Sequence, residues 1–287
     1  MKVFEMVLID RMMKYFEDNQ ILGNAQYGFR RGRNTTQAVT ELVLSCLHGL
    51  DEGQQAGALL FDMSKAFDLV DWRLLLVKFK LCGFDEGGIL FFEQYLYGWQ
   101  QYVVFNGEYS ESGELSAGVR QGSILGPLCY IVFTNDLPLF VQHSFPKCVD
   151  AWVEVVLYAD DISALITATS ENAFHLASSI VRDLVSSCCR NNKLVLNADK
   201  TQSIRFVSRR GGDSDVTLLG LRLDESLTWS CHIRALSKSL SSTVCLLRRL
   251  SLSVSSSVLK SVYYALFESR LSTGSCCGET PVVLRGF

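Results

Sequence analysis

Two short apolar runs joined by a pair of adjacent aspartates constrain the fold of this chain more than any other feature. Residues 153–157 and 162–166 are rich in Val, Ile and Leu, and Tyr158-Ala-Asp-Asp161 joins them. Short apolar runs bounded by turn residues are typical of strands buried in a sheet. The sequence therefore predicts a hairpin that presents two carboxylates at its turn.

A third carboxylate follows an earlier apolar run. Residues 56–61 are bounded by glycine and predict a buried strand that ends at Asp62. Mg²⁺ prefers carboxylate oxygens, and two-metal nucleotidyl transfer needs carboxylates held by separate rigid elements. Asp62, Asp160 and Asp161 meet that requirement. Any one of them alone is more often a cap or turn residue, so the ordered combination carries the argument.

The remaining sequence predicts a mixture of helices and strands. Helices are expected over residues 3–18, 35–49, 71–80, 127–140 and 171–191, with two or three more between residues 228 and 270. A hairpin is expected at Asn106-Gly107, a turn at residues 197–200, and strands near residues 203–207 and 217–223.

The charge distribution along the chain is uneven although the net charge is only −3. Residues 51–161 hold 16 acidic and 6 basic side chains, whereas residues 193–270 hold 6 acidic and 12 basic ones. Composition alone favours ordinary solvated surface charge. The functional interpretation is a cation-binding centre beside a phosphate-binding wall, and local motifs must decide between the two.

The composition also indicates the cellular environment of the protein. No apolar stretch is long enough to predict a transmembrane helix, and the charged residues near the N-terminus do not match a secretory signal. We therefore expect an intracellular protein that is soluble or held in a complex. The ten cysteines include no CxxC spacing, so we expect reduced thiols rather than disulfides or a zinc site.

Three motifs, in order, resemble the signature motifs of reverse transcriptases. They are Phe-Asp-Met-Ser-Lys-Ala-Phe-Asp at 61–68, Arg-Gln-Gly-Ser-Ile-Leu-Gly-Pro at 120–127 and Tyr-Ala-Asp-Asp at 158–161. Further segments resemble the LINE (non-LTR retrotransposon) branch: Gln-Tyr-Gly-Phe-Arg at 26–30, Asn197 with Lys200-Thr201, residues 218–224, and Trp229 with His232. Residues 264–271 are similar to jockey-like elements. The resemblance covers nearly the whole chain.

The resemblance implies an α+β right-hand polymerase fold with an antiparallel palm sheet. Partial helical fingers are expected at residues 1–55 and the palm at 56–224, with a fingers-like insertion at about 75–118. A helical thumb is expected at 225–287, and it need not be complete. In the family, further fingers segments come before the Gln-Tyr-Gly-Phe-Arg motif, and this sequence does not contain them. We therefore expect an N-terminally truncated element without endonuclease or Cys/His knuckle regions.

The resemblance also implies the roles of the metal ligands. Asp62 and Asp160 would bind two Mg²⁺ ions, with Mn²⁺ as an alternative, and Asp161 would lie beside them. Lys200 would protonate or neutralise the departing pyrophosphate.

Four further residues are implied to contact the substrate. Phe67 would exclude a ribose 2′-hydroxyl, and Gln121 and Gly122 would lie against the incoming nucleotide and template. Arg30 would contact the triphosphate or template, although exposed surface charge is nearly as good an interpretation of that residue.

The implied partners are an RNA template with a DNA primer and deoxynucleoside triphosphates, and no membrane. Basic helices after Thr228 would hold the nucleic-acid backbone by charge. A nuclear location or a cytoplasmic ribonucleoprotein is expected. Three alternatives stay open: a catalytically silent remnant that at most binds RNA or an RNA–DNA duplex, an RNA-dependent RNA polymerase, and a group II intron maturase. Phe67 argues against the RNA polymerase.

Overall fold

A four-stranded antiparallel sheet organises the computed structural model, which describes residues 2–120, 122–207 and 214–274. Its strands are β1 (Gln55–Ser64), β6 (Ala151–Tyr158), β7 (Asp161–Ala168) and β8 (Val195–Phe206), in the order β6-β7-β1-β8. Three two-stranded sheets are formed by β2 (Gln100–Gln101) with β5 (Gly113–Glu114), β3 (Val104–Phe105) with β4 (Glu108–Tyr109), and β9 (Asp215–Leu218) with β10 (Leu221–Asp224).

Ten α-helices are present in the described ranges. They are α1 (Lys2–Asp18), α2 (Thr35–Asp51), α3 (Trp72–Leu81), α4 (Glu86–Leu96), α5 (Leu125–Thr134), α6 (Leu137–Ser144), α7 (Glu171–Asn191), α8 (Ser230–Leu250), α9 (Ser256–Tyr263) and α10 (Ser269–Gly274). A π-helical segment, Tyr264–Glu268, joins α9 to α10. The mixed α+β composition and the antiparallel central sheet are confirmed.

The central sheet has an apolar layer on each side because side chains alternate between the two faces of a strand. On β1, Leu59 and Phe61 belong to a large core that includes residues of α5 and α7. Ala58 and Leu60 belong to a second core, which includes residues of α2 and the β9–β10 hairpin. This burial on both faces accounts for the nearly continuous apolar sequence of β1.

Local capping explains where two helices begin. Asn34 Oδ1 accepts from the Gln37 backbone N–H at 2.8 Å, while the Gln37 side chain accepts from the Asn34 N–H at 3.1 Å. This reciprocal capping box starts α2. Asp71 Oδ1 accepts from the Leu74 N–H at 3.0 Å and caps α3.

The structure corrects two predicted elements before residue 150, a strand and a helix. The strand that carries Asp62 does not end there but continues to Ser64. Residues 127–140 form two helices rather than one, with a break at Asn135-Asp136. Pro138 lies in the first turn of α6 and has no backbone N–H to donate to the Thr134 carbonyl, so α5 does not continue through it.

Two more corrections concern the chain after α7. Residues 197–200, predicted as a turn, lie within the continuous strand β8. Residues 217–223, predicted as one strand, form the β9–β10 hairpin with Leu219-Gly220 at its turn. Leu219 and Gly220 both have positive φ (49° and 85°), which turns the backbone sharply in the middle of an apolar run.

A short hairpin projects between α4 and α5. Asn106 and Gly107 have φ of 51° and 86° at its turn, which confirms the predicted hairpin. No helix among the described residues is both long and apolar enough to cross a membrane. The cysteines of the described ranges are free thiols, as expected. The fingers, palm and thumb boundaries remain predictions.

Candidate active site

Three aspartates meet at one end of the central sheet. Tyr158 pairs with Asp161 across the β6–β7 hairpin, which leaves Ala159 and Asp160 as its two-residue turn. Phe61 on β1 pairs with Ile162 on β7, so Asp62 and Asp161 follow in register on neighbouring strands. The fold therefore brings together Asp62, Asp160 and Asp161, which are separated by about a hundred residues in the sequence.

The turn that carries Asp160 has a strained backbone and a close neighbour. Ala159 has φ of 55°, a left-handed conformation that costs a non-glycine residue energy. The loop before α2 supports the turn: the Tyr27 N–H donates to the Leu157 carbonyl at 2.8 Å, and the Leu157 N–H donates to the Ala25 carbonyl at 2.8 Å. The Gln-Tyr-Gly-Phe-Arg segment is thus joined directly to the aspartate hairpin.

Gly28 makes this contact possible. A Cβ atom at Gly28 would lie 2.2 Å from the Ala159 backbone nitrogen, so no other residue fits without moving the turn. The sequence motifs alone gave Gly28 no individual role. The only available signal was its place in a glycine-punctuated loop, because the contact joins residues about 130 positions apart.

A bulge in β8 places Lys200 beside Asp62. Leu60 and Asp62 are two positions apart on β1, but their partners on β8, Gln202 and Asn197, are five positions apart. The extra residues leave the regular ladder, as in a β-bulge. Lys200 is in this bulge, and its Nζ lies 3.3 Å from Asp62 Oδ2.

The electrostatics of the site reflect the crowding of its carboxylates. Burial raises the pKa of Asp161, and the negative charges of Asp160 and Asp62 raise it further, while Lys200 opposes them. Burial also raises the pKa of Tyr130, and the negative charges of Asp160 and Asp161 contribute. A cation bound here would remove the repulsion between the aspartates.

The aspartates suit a divalent ion chemically, but they are not closed around one. Across residues 2–120, 122–207 and 214–274, no three His, Cys, Asp or Glu side chains are close enough together to hold a metal ion. Three carboxylates on adjacent strand ends are nevertheless the hard oxygen donors that Mg²⁺ binds. Asp62 forms an ion pair with Lys200 instead.

Phe67 lies on an aromatic platform next to this site. Its ring stacks on Tyr130 with centroids 4.7 Å apart, and Phe29 contacts it edge-on at 6.2 Å. The Tyr130 hydroxyl donates to Met63 Sδ at 3.4 Å, which fixes the platform against β1. Phe67 is half-buried, so one part of the ring remains accessible to a substrate.

The loop of the Arg-Gln-Gly-Ser motif starts from the same segment. The Val119 N–H donates to the Phe67 carbonyl at 2.8 Å, which joins the loop to Phe67. Gly122 is exposed and has φ of 80°, a conformation that favours glycine. Gln121 lies outside the described residues, so its predicted contact stays a prediction.

Arg30 contacts its own loop. Its Nη1 donates to the Gly23 carbonyl at 2.8 Å, and burial lowers the pKa of its guanidinium. In this structure the side chain supports the loop that packs on the aspartate hairpin. Its predicted contact with triphosphate or template stays a prediction.

A basic groove lies beside the entry to α8. It has a volume of about 1110 Å³, and its lining includes Arg222, Arg234, Lys238 and Arg270 together with Asp215 and Asp224. At its edge, the Arg222 N–H donates to His232 Nδ1 at 3.3 Å, which ties β10 to α8. The basic helices predicted after Thr228 therefore present part of their charge on one concave surface.

The chain matches a known family over most of its length. The family model of the reverse transcriptase (RNA-dependent DNA polymerase) matches residues 1–223. Among solved structures, telomerase from Candida tropicalis in complex with a fragment of telomeric RNA gives a TM-score of 0.57 at 12% identity, covering 94% of this chain and 47% of that one. Apo telomerase from the same organism gives 0.55 at 14% identity, covering 78% and 44%. These likenesses confirm the right-hand polymerase fold.

Two curated relatives of this chain come from Drosophila melanogaster. The probable RNA-directed DNA polymerase from transposon BS is 29% identical over 251 residues, which is 82% of this chain and 27% of that protein. The RNA-directed DNA polymerase from mobile element jockey is 28% identical over 246 residues, 81% of this chain and 26% of that protein. The chain thus spans about a quarter of the length of these relatives. It belongs to the reverse transcriptase (RNA-dependent DNA polymerase) family.

Proposed function

We propose that this chain is the polymerase domain of an RNA-directed DNA polymerase that extends a DNA primer on an RNA template with deoxynucleoside triphosphates. The observation that carries the proposal is the meeting of Asp62, Asp160 and Asp161 at one end of the sheet. That placement suits two-metal nucleotidyl transfer. The relatives from transposon BS and jockey are named for the same activity.

The carboxylates and Lys200 would have different roles in the transfer of the nucleotide. Asp62, Asp160 and Asp161 would hold two divalent ions, which supply electrostatic stabilisation to the attacking and leaving oxygens. Lys200 would donate a proton to the leaving pyrophosphate or neutralise its charge. Its side chain is 66% exposed and sits on a bulge rather than in the regular ladder, which leaves it room to move from Asp62 to a substrate.

Phe67 would select the sugar. Tyr130 supports its ring from one side and Val119 fixes its backbone, so the ring cannot easily retreat from a larger substrate. A 2′-hydroxyl placed against this ring would be excluded by steric overlap, which favours deoxynucleotides. Gly122 would allow the backbone of the neighbouring loop to approach the nucleotide closely, since it has no side chain.

The basic groove beside α8 would contact the nucleic-acid backbone. Arg234 and Lys238 are exposed there, one helical turn apart, and both line the groove. Such contacts release counterions from phosphates, so the affinity should fall steeply with salt. The telomerase complex with a telomeric RNA fragment shows that a protein of this fold binds RNA, and we infer RNA template binding for this chain.

The decisive experiment measures deoxynucleotide incorporation on an RNA template with an annealed DNA primer, with Mg²⁺ and with EDTA. The parent is compared with Asp160→Ala and with Asp183→Ala, a control that removes an exposed aspartate from α7. We expect Mg²⁺-dependent extension by the parent and the control, and at least about a thousandfold less by Asp160→Ala because a metal ligand is lost.

Three other outcomes would change the assignment. Equal activity of Asp160→Ala would remove this aspartate from the chemistry. Preferential use of ribonucleotides would favour an RNA-dependent RNA polymerase. If none of the three proteins extends the primer although circular dichroism shows that each is folded, the catalytic proposal is overturned. The chain would then be a remnant that at most binds nucleic acid.

A further inference from the structure

A buried glutamate on α1 contacts the loop of the Arg-Gln-Gly-Ser motif. Glu5 is only 3% exposed, which is unusual for a carboxylate. Its Oε2 accepts from the Ile124 backbone N–H at 2.8 Å, and Tyr95 donates its hydroxyl to Oε1 at 3.4 Å. A buried charge needs such partners, and the nearer one belongs to the loop rather than to the helix that carries Glu5.

This contact completes the N-terminus of α5. A helix leaves its first backbone N–H groups without partners inside the helix. Ile124 is the N-cap residue of α5, and its own side chain caps nothing. The Ser123 hydroxyl accepts from the Gly126 N–H at 2.9 Å, and Pro127 has no N–H to satisfy. Glu5 supplies the acceptor for Ile124 and places a negative charge at the positive end of the helix.

The contact also anchors one end of the motif loop. At the other end, the Val119 N–H donates to the Phe67 carbonyl at 2.8 Å. The loop is wound tightly between these anchors: Ser123 Oγ donates to the Arg120 carbonyl at 2.9 Å, and a Cβ atom at Gly126 would lie 2.9 Å from that same oxygen. A shift at Ile124 would therefore move the whole loop, which carries the predicted nucleotide contacts.

We propose that Glu5 is a positioning residue that holds Gly122, Ser123 and Ile124 in the conformation that receives the incoming nucleotide. This inference rests on the proposed polymerase function for its catalytic consequence, but the tether itself is a property of the fold.

The test compares four proteins. Glu5→Leu removes the acceptor, whereas Glu5→Gln keeps an oxygen that can accept from Ile124. Glu5→Asp keeps the charge but shortens the side chain. It replaces Glu5→Leu as the test variant if Glu5→Leu does not fold. Met12→Leu is the matched control, because Met12 is also buried on α1 and is 4% exposed. Each is compared with the parent by amide hydrogen exchange and by steady-state kinetics.

The rate of amide exchange and the KM for the deoxynucleotide are expected to change together. Exchange of peptides covering residues 122–128 should be about tenfold faster in Glu5→Leu and Glu5→Asp, with peptides of α7 unchanged. In a parent that polymerises, KM for the deoxynucleotide should rise about five- to fiftyfold in the same variants, with a smaller change in kcat. Glu5→Gln should recover most of both properties, and Met12→Leu should match the parent.

The outcomes separate the tether from the proposed function. Unchanged exchange in residues 122–128 overturns the tether whether or not the parent polymerises. Faster exchange without a rise in KM in an active parent overturns the catalytic role of the tether. If the parent is inactive yet exchange rises in Glu5→Leu and is restored in Glu5→Gln, the tether is supported and the proposed function fails.

Discussion

Lys200 and Asp62 form an ion pair, with Nζ 3.3 Å from Oδ2, at the site where Asp62 would bind a metal ion. The ammonium group and a divalent ion would compete for the same carboxylate. Metal binding would therefore release Lys200, which is the state that its proposed role at the leaving pyrophosphate requires. The bulge in β8 is the structural device that puts these two residues together.

Removing Lys200 should strengthen metal binding. In Lys200→Ala, Asp62 no longer has the competing cation, and a partly exposed ion pair of this kind stabilises by up to about 1 kcal/mol, so Kd for Mn²⁺ should fall up to about fivefold. Binding is measured by electron paramagnetic resonance of free Mn²⁺. Lys193→Ala is the control, since Lys193 pairs with Asp71 away from the metal site. Weaker Mn²⁺ binding in Lys200→Ala would contradict the competition.

Shortening Phe67 should relax sugar selection. In Phe67→Ala, the ring that stacks on Tyr130 is absent, so a 2′-hydroxyl meets less steric resistance. We expect the ratio of kcat/KM for a ribonucleotide to that for the matching deoxynucleotide to rise at least about tenfold. Phe105→Ala is the control, because Phe105 is an exposed aromatic of the β3–β4 hairpin. An unchanged ratio in Phe67→Ala would leave Phe67 as a core aromatic.

Adding one methyl group at Gly28 should disturb the aspartate hairpin. The new Cβ would lie 2.2 Å from the Ala159 nitrogen, so the loop or the hairpin must move, at a cost of about 1–3 kcal/mol in the free energy of unfolding. Urea denaturation measures this change. Gly23→Ala in the same loop is the control, since its Cβ would meet Asn135 Oδ1 at an ordinary 3.7 Å. Equal stability of the two variants would show that the loop does not press on the hairpin.

Protonation of His232 should weaken the junction between β10 and α8. Burial lowers the pKa of His232, with a further contribution from Arg222, and the neutral ring accepts from the Arg222 N–H. The stabilisation is thus present above the unfolded value of about 6.5 and is lost as the pH falls through the lowered pKa. The free energy of unfolding should decrease on acidification, by at most about 1.4 kcal/mol per pH unit for one proton.

Denaturation from pH 8 to pH 5 tests this dependence. His232→Asn keeps an acceptor near the position of Nδ1 but does not titrate, so its stability should change less with pH than that of the parent. His48→Asn alters a histidine whose side chain is 78% exposed, and it should behave like the parent. Parallel pH profiles for the parent and His232→Asn would refute the assignment.

Neutralising the groove beside α8 should reduce the salt dependence of duplex binding. Arg234→Ala with Lys238→Ala removes two exposed cations, so the slope of log K against log salt should become shallower by about one to two. Fluorescence anisotropy with an RNA–DNA duplex at several salt concentrations measures the slope. Lys260→Ala on α9 is the control, because Lys260 does not line the groove. An unchanged slope in the double variant would place the nucleic acid elsewhere.

The local pattern of apolar residues was sufficient to predict the strands that carry the aspartates. The apolar runs around residues 56–61, 153–157 and 162–166 predicted three buried strands, since short apolar runs bounded by turn residues are typical of strands buried on both faces. The ordered motifs predicted the family and the right-hand fold. The sequence pattern did less well at the β8 bulge, where pairing with β1 competes with the local turn preference of residues 197–200. The break between α5 and α6 has a local cause, Pro138, which the apolar periodicity alone did not indicate.

What the sequence determined by itself is the set of chemical groups and the strands that present them. Only the tertiary structure decided which of them meet: Lys200 with Asp62, Gly28 with Ala159, and Glu5 with Ile124. Each pair joins residues more than a hundred positions apart, and no periodicity within either segment encodes the distance between them. Such contacts arise from how the sheet orders its strands and how helices pack on it, so they appear only when the whole chain is folded.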